Sequence, residues 1–571
     1  MYKKLFSSNH HPLIFFAGLV LFTGMNIFSA LTSDLHFDES YYTIWSQNLS
    51  FGYFDHPPMI AWLIKAGQLL FEGEFGVRFF VIVLSTFSMV VLWRIVQRYS
   101  PNALLFWSLV YAVCLIHPYV FIATPDAPLF FFSIMFFYFY DKYLKKSNFQ
   151  NAVLLAFFMA LMIYSKYHAI LLLGFVFISN IKMLKKFSFW LIIFHSAIYL
   201  FPHFLWQFNN DFPSFKYHLI DRHIVSYSPI ASIKYIFSQL LLTGPIMGWF
   251  FLYILFSKKA EDKWEQALRF SGCGIFIFFL ITTFSGNSEA HWTLVAIIPL
   301  IILSYKYIAN NQKWQKWVLI AGLANFAFLL LLRIIIVTPL ASQVKILRQF
   351  SGNKESASKI KSFAGNTPII FQDAWTDASL YTFYSGDKRT VSINSGEYRR
   401  NQFDIIDADE LYTNQTVIVL TTDSLLFPHA ERIKTNRSVL YGKKIDNFRS
   451  YYNLTIELIN VEKTSDSLDI TVSIKNPYPD TIRLGSDFGI ETSFQLSTRE
   501  KKRWALLSKE GIGNLEILPE GSCKVQTKLK RPSALARDKQ VFLMLKIGEL
   551  KPIQSKCLLE IETTNTAARR H

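Results

Sequence analysis

The chain has 571 residues, 51% of them hydrophobic, with 55 Phe and 27 Tyr. Its apolar runs are confined to roughly the first 340 residues, which excludes a wholly soluble enzyme and points to a multi-pass membrane domain followed by a soluble part. The net charge of +17 is spread out or set between apolar runs, so it reads as a topology signal and excludes nucleic acid as a partner; four cysteines without a CxxC pair exclude a zinc ribbon and a disulfide framework.

In chain order, the basic start MYKK precedes an apolar run at 13–31 that is too long for a signal-peptide core and lacks a cleavage site, so it is expected to stay as the first span. Further spans are expected at 77–96, 103–122, 127–140, 152–164, 168–181, 189–206, 230–256, 268–284, 293–307 and 317–337, about eleven in all. Alternating them from an inside N-terminus gathers Lys3, Lys4, Arg94, Arg98, Lys142, Lys145, Lys182, Lys185, Lys258, Lys259, Arg269 and Lys306 on one side, the cytoplasm by the positive-inside rule. The opposite face receives DLHFDESYY, YFDHPP, TPDAP, YSKYH, the loop 207–228 and GNSEAHW. Every loop with plausible chemistry opens outward, and an odd number of spans sends the C-terminal part to the same side.

Asp38 and Glu39 are adjacent, so on a helix they diverge by about 100° and on a strand they face opposite ways, which argues against a shared-proton dyad. One is a candidate general base and its neighbour a group that orients a partner; a pair of solvated loop acids is the plain alternative. Asp55 and His56 precede Pro57 and Pro58, whose fixed φ holds them in place. They suit a contact to an anion or to a divalent metal cation, against a simple turn.

Arg78, Asp126, Lys166, Glu289 and His291 are further outer-face candidates, each of which singly also suits an anchor or a helix cap. Arg333, surrounded by LLLLRIII, either snorkels or holds an anion such as a lipid phosphate. Histidines crowd this face (His36, His56, His168, His203, His218, His223 and His291) without HExxH or a similar spacing, so a zinc site is not indicated.

The order of these motifs carries a resemblance. An external DE followed by Tyr41 and Tyr42, then YFDHPPMIAW, TPDAPL, YSKYHAILL, FPHFLWQFNNDFPSFKYH and GNSEAHW, resembles the bacterial polyprenyl-phosphate-sugar transferases of the C-type glycosyltransferase superfold. These include protein mannosyltransferase-like proteins and the aminoarabinose transferases that modify lipid A. The resemblance covers about residues 10–340.

It implies a multi-pass inner-membrane enzyme that moves a monosaccharide, with inversion, from a polyprenyl-phosphate-linked donor to a glycolipid such as lipid A, another glycan or a protein. It implies Asp38 as the catalytic carboxylate, with Glu39 beside it. Asp55, His56, Arg78, Lys166 and Arg333 would serve the donor phosphate, and Tyr42, Asp126, Glu289 and His291 the substrates. The aminoarabinose branch carries an acid and a lysine before its Pro-Pro, where this chain has Asp55 and His56, so the positive charge at the phosphate would come from Lys166, Arg78 or a divalent cation. No soluble cofactor is required.

Past Pro339, NTPIIFQDAWTDASLYTFYSGDKRTVSI reads as strand, helix and strand, and TVIVLTTD as a further strand, giving a small extracytoplasmic α/β module at about 344–441. Arg399 and Arg400 there are either contacts to anionic glycan or a solvated pair. From 451 to 563 strict alternation, as in Leu468, Ile470, Val472 and Ile474 and again in Val541, Leu543, Leu545 and Ile547, suggests an immunoglobulin-like β-sandwich. Cys523 and Cys557 lie in its strands as a pair or as two separate thiols. The rival reading is a polytopic lipid or sugar transporter or flippase, whose charges should sit near the bilayer midplane in repeated, broken helices.

Overall fold

The computed structural model describes residues 10–219, 228–285, 288–406, 408–464, 466–500, 503–531 and 540–560. His223, within the stretch 220–227, therefore lies outside the described residues, as do Gly286 and Asn287 of GNSEAHW. The chain divides into two compact units, Met1–Lys354 and Glu355–His571.

The first unit is helical. Helix α1 (His11–Thr32) opens on Pro12, whose missing N–H costs nothing in a first turn. It is followed by α2 (Phe37–Gln47), α3 (Met59–Gln68), α4 (Gly73–Val96), α5 (Ala103–Ala112), α6 (Asp126–Lys145), α7 (Phe149–Ser165) and α8 (Ala169–Ser179). Then come α9 (Phe187–Asn209), α10 (Pro213–Leu219), α11 (Pro229–Thr243), α12 (Gly248–Ser257), α13 (Lys263–Thr282), α14 (Ile297–Ala309) and α15 (Gln312–Ile336).

Among the described residues, six helical segments are long and apolar enough to cross a membrane: α1, α4, α9, α13, the segment Ala290–Ala309 that ends in α14, and α15. The bent pair α11 and α12 makes a seventh if counted as one span. The protein is thus a multi-pass membrane protein. Shorter apolar helices include α5, with 10 residues; at about 1.5 Å per residue it covers about half of the hydrocarbon layer.

Two of the expected spans are interrupted, and the interruptions meet. The run 103–122 leaves its helix after Ala112, because Val113 is extended, and resumes only as the turn Ile116–Tyr119. The run 230–256 breaks at Gly244 and Pro245: Gly244 has φ +147 and Pro245 has no N–H, so α11 and α12 are bent by 101°. The Leu115 N–H donates to the Leu242 carbonyl at 3.0 Å, and a Cβ on Gly244 would stand 2.7 Å from the Ala112 oxygen. Each break thereby helps to satisfy or accommodate the other's open backbone, the condition for non-helical chain away from water. A third close approach sets α15 on α5, where a Cβ on Gly322 would stand 2.4 Å from the Ser108 carbonyl oxygen.

The second unit holds a five-stranded sheet of order β2-β1-β3-β5-β4, built from β1 (Ile369–Gln372), β2 (Thr390–Ile393), β3 (Val417–Thr421), β4 (Glu431–Lys434) and β5 (Val439–Ile445). Strand β1 pairs in parallel with β2 and β3, and α16 (Trp375–Ser385) crosses between β1 and β2. Arg399, one of the two arginines noted in the sequence, lies with its guanidinium 4.8 Å from the Trp375 ring.

The rest of the unit is β-rich. A three-stranded sheet joins β6 (Thr455–Lys463), β7 (Ser467–Lys475) and β12 (Ser522–Lys530). A four-stranded sheet joins β9 (Thr492–Glu500), β10 (Arg503–Gly511), β13 (Gln540–Ile547) and β14 (Ile553–Glu560), and a pair joins β8 (Ile482–Leu484) to β11 (Leu515–Ile517). The alternating apolar residues of β7 and β13 meet Phe494 and Leu496 in one core. Cys523 carries a free thiol; the side chain of Cys557 lies outside the described residues.

Candidate active site

Once α1 has ended, four residues return the chain to a helix. His36 caps α2: its Nδ1 accepts the Asp38 N–H at 3.2 Å, and Glu39 Oε2 accepts the His36 N–H at 2.8 Å. This reciprocal capping box explains why an acid stands at position 39. Nε2 of His36 meets Gln349 Oε1 at 2.8 Å. Nδ1 also stands 3.4 Å from the Asp38 carboxylate. Helical spacing then sends the two acids apart, the Asp38 side chain being 36% exposed and that of Glu39 fully buried.

Glu39 belongs to a closed network. Arg78 Nε donates to its Oε1 at 2.7 Å and Nη2 to its Oε2 at 2.6 Å, while the Ala123 N–H adds a third bond at 2.8 Å. The remaining Arg78 N–H groups go to the carbonyls of Ala30, Ser33 and Asp34 and to the Ser33 hydroxyl. All five are thus met by protein, which is what a dry ion pair needs to offset its desolvation. Asp34 Oδ2 accepts the Asn353 N–H at 2.7 Å, and burial raises the Asp34 carboxyl above its ordinary value despite that bond.

The YFDHPP loop packs over α2. Tyr41 of α2 donates its hydroxyl to Asp55 Oδ2 at 2.5 Å, and His218 Nε2 donates to the Asp55 carbonyl at 2.9 Å. The His56 ring stacks 6.1 Å from that of His218 and lies 6.2 Å from the buried Tyr42 ring. From α9, His203 Nδ1 donates to the Phe51 carbonyl at 2.6 Å, and Ser214 of α10 donates to the Tyr53 carbonyl at 2.9 Å. The loop is therefore held by residues about 150 positions further along the chain.

A second buried ion pair stands nearby. Asp126, in the first turn of α6 where the helix dipole favours an anion, accepts from Lys166 Nζ through both oxygens, at 2.9 and 2.8 Å. An ammonium has three N–H groups, and among the described residues Asp126 is the side chain that pairs with this one. His291 stacks on Tyr119 at 5.4 Å, and Glu289 immediately precedes the turn Ala290–Ala296. The carboxylates of Asp38, Asp126 and Glu289 all lie within electrostatic reach of the Tyr119 hydroxyl. In the same way Lys166, His56, His218 and His291 lie within electrostatic reach of the His168 imidazole, whose ring neighbours are Phe279 and Trp292. Asp38, Asp126, Lys166, Glu289 and His291, drawn from four separate segments of the sequence, thus lie in one electrostatic neighbourhood.

Arg333 is placed differently. It reaches α1, donating to the Met25 carbonyl, to Ser29 Oγ at 2.6 Å and to Asn26 Oδ1 at 2.8 Å. Its guanidinium lies 5.1 Å from the Phe121 ring, and that of Arg78 lies 5.6 Å from the same ring. Phe121 therefore contacts two buried cations.

Among the described residues no group of three or more His, Cys, Asp or Glu side chains is arranged to hold a metal ion. Three contributors had no assigned role in the sequence reading: Tyr41 on Asp55, His218 on the Asp55 carbonyl, and Phe121 against the two arginines. Tyr41 stands one helical turn from Asp38, which is a readable signal; nothing local in the sequence ties His218 or Phe121 to their partners.

A sequence model of the family described as dolichyl-phosphate-mannose-protein mannosyltransferase matches residues 55–206, the stretch that carries Asp55, His56, Arg78, Asp126 and Lys166. The lipid A galacturonosyltransferase RgtD of Rhizobium johnstonii is 20% identical over 385 residues, 62% of this chain and 80% of that protein. The crystal structure of ArnT from Cupriavidus metallidurans in the apo state is similar with a TM-score of 0.54 at 16% identity, covering 74% of this chain and 97% of that one. The same protein bound to undecaprenyl phosphate gives a TM-score of 0.54 at 14% identity, covering 76% and 98%. The chain thus resembles the polyprenyl-phosphate-sugar-dependent transferases, and its fold is that of the C-type membrane glycosyltransferases.

Proposed function

We propose that this protein is an integral membrane glycosyltransferase that moves a monosaccharide from a polyprenyl-phosphate-linked donor to a glycolipid, glycan or protein acceptor, with Asp38 as the general base. The observation that carries this is the division of labour at the start of α2: a solvent-reaching Asp38 beside a Glu39 whose oxygens are committed to Arg78, Ala123 and the helix cap. Asp38 takes the acceptor proton as the acceptor oxygen or nitrogen bonds to the anomeric carbon. The bond from that carbon to the phosphate oxygen breaks, and the lipid phosphate leaves as an anion. Attack opposite the leaving group inverts the anomeric carbon.

Lys166, paired with Asp126, and His56 in the YFDHPP loop stabilise the departing phosphate, while Tyr42, Asp126, Glu289 and His291 border the sugar and the acceptor. Arg78 acts in this reading through Glu39, because its N–H groups already have protein partners. Arg333 similarly fastens α15 to α1. A divalent cation at Asp55 and His56 would add charge at the phosphate. The relatives' names favour lipid A as an acceptor class.

The same reading includes about eleven spans, counting the short apolar helices as crossings that rely on their neighbours. It divides the chain into a membrane domain at 1–340, an α/β module at 344–441 and an immunoglobulin-like sandwich at 451–563. It sets the protein in the inner membrane with the Asp38 face toward the periplasm. A transporter would place its charges at a break in mid-span, yet the bend between α11 and α12 has no ionisable residue in TGPIMG. The test is sugar transfer by purified protein in detergent from a defined polyprenyl-phosphate donor. Asp38→Asn should lower kcat by about 100-fold or more with donor binding retained; turnover near the wild-type rate would overturn the assignment.

A further inference from the structure

At the far end of α4 from Arg78, a cavity of about 380 Å³ opens between α4 and α6, lined by Val91, Trp93, Met135 and Tyr138 and, toward the C-terminal end of α4, by Arg94 and Gln97. Arg78 and Arg94 are sixteen residues apart on one helix, about 24 Å along its axis, so this cavity lies across the membrane domain from the Asp38 neighbourhood. It is therefore distinct from the site of sugar transfer.

Its charge is not balanced by a carboxylate among the described residues. Asp141 is the acid at this end of α6, and it already accepts from Arg98 at 3.1 Å and Lys145 at 2.8 Å. Among the described residues no carboxylate pairs with Arg94 or with Lys142, whose Nζ rests 4.5 Å from the Tyr138 ring. The depth also suits a headgroup. Helix α4 has 24 residues and Arg94 stands in its last turn; about 36 Å of helix outreaches a hydrocarbon layer of about 30 Å, which brings Arg94 to the polar boundary. The groove is held in shape by Trp93, stacked at 5.2 Å on Phe15 of α1.

We propose that this groove is a binding site for an anionic phospholipid of the leaflet opposite the Asp38 face. One acyl chain lies against Val91, Met135 and Tyr138, while the phosphate is held by Arg94, with Gln97 as a hydrogen-bond partner and Lys142 as a nearby second cation. The occupant is a lipid rather than a free anion, because the walls are apolar and only one end is charged.

The experiment uses the full-length protein in nanodiscs containing phosphatidylglycerol and phosphatidylcholine, released into detergent and weighed intact by native mass spectrometry. The wild type should retain phosphatidylglycerol in preference to phosphatidylcholine. Arg94→Gln should cut that retention several-fold, and Val91→Trp, which fills the groove and leaves the charge, should cut it as well. Glycerol 3-phosphate in excess should not displace the lipid. Equal retention of the two lipids by the wild type, or full retention in Val91→Trp, would overturn the proposal, the latter by reducing it to adsorption on surface charge. Sugar transfer measured on the same preparations serves as the folding control, since neither residue touches the Asp38 neighbourhood.

Discussion

At the scale of single residues, Glu39 and Asp38 should respond in opposite ways. Glu39→Gln strands the Arg78 guanidinium in a site with no solvent, and breaking a buried pair this way costs about 3–5 kcal/mol. Thermal unfolding in detergent should fall accordingly, and Glu39→Gln combined with Arg78→Met should recover part of the loss. Asp38→Asn should leave unfolding almost unchanged while removing turnover. His56→Ala should raise the KM for the donor more than it lowers kcat, read from initial rates across donor concentrations. Asp34 tests the electrostatics of the same segment. Burial raises its pKa in the folded state, so the fold holds that proton more tightly than the unfolded chain does. The charged carboxylate then weighs against folding above its folded pKa, and the penalty fades as pH falls toward the unfolded value. Asp34→Asn should therefore gain stability at neutral pH and lose that gain in mild acid, as followed by unfolding midpoints at the two pH values.

At the scale of elements, the paired breaks after Ala112 and at Gly244 are the main departure from the sequence expectation. Gly244→Ala should cost about 1–3 kcal/mol, because φ +147 suits glycine alone and the new Cβ would meet the Ala112 oxygen at 2.7 Å; a lowered melting point in detergent checks it. The dipeptide Gly244-Pro245 marks this break in the sequence, within a run, 230–256, whose apolar composition reads as one span. The end of α5 is marked less directly: VCLIH has neither Gly nor Pro, Pro118 follows only within the turn Ile116–Tyr119, and at the break itself Leu115 finds a backbone acceptor on α11. Strands were easier to read. The alternation at Leu468 to Ile474 and at Val541 to Ile547 falls in β7 and β13, since a period of two is imposed by the pleat itself. The capping box likewise accounts for the divergence of Asp38 and Glu39 that adjacency on a helix required.

At the scale of the whole molecule, the basic-residue asymmetry leads to a topological expectation: the Asp38 loop and the C-terminal unit face the same, extracytoplasmic, compartment. In a background without the native cysteines, Asn48→Cys and Lys528→Cys, both at exposed positions, should each react with an impermeant thiol reagent in intact spheroplasts. Protection of either until lysis would contradict the shared side.

What the sequence determined by itself follows from quantities that add along the chain. Apolar run length against bilayer thickness makes this a multi-pass membrane protein, and loop position gathers its acids and histidines on one expected face. What only the tertiary structure decided is which of those groups meet. Glu39 finds Arg78 across 39 residues, Asp126 finds Lys166 across 40, and Asp55 finds His218 across 163. Helices such as α4 and α6 are apolar on most of their circumference, so no amphipathic stripe announces which face turns inward. The rotation of α4 is set by close packing, as where Gly67 of α3 meets the Gly76 carbonyl, and by the need of each buried charge for a partner.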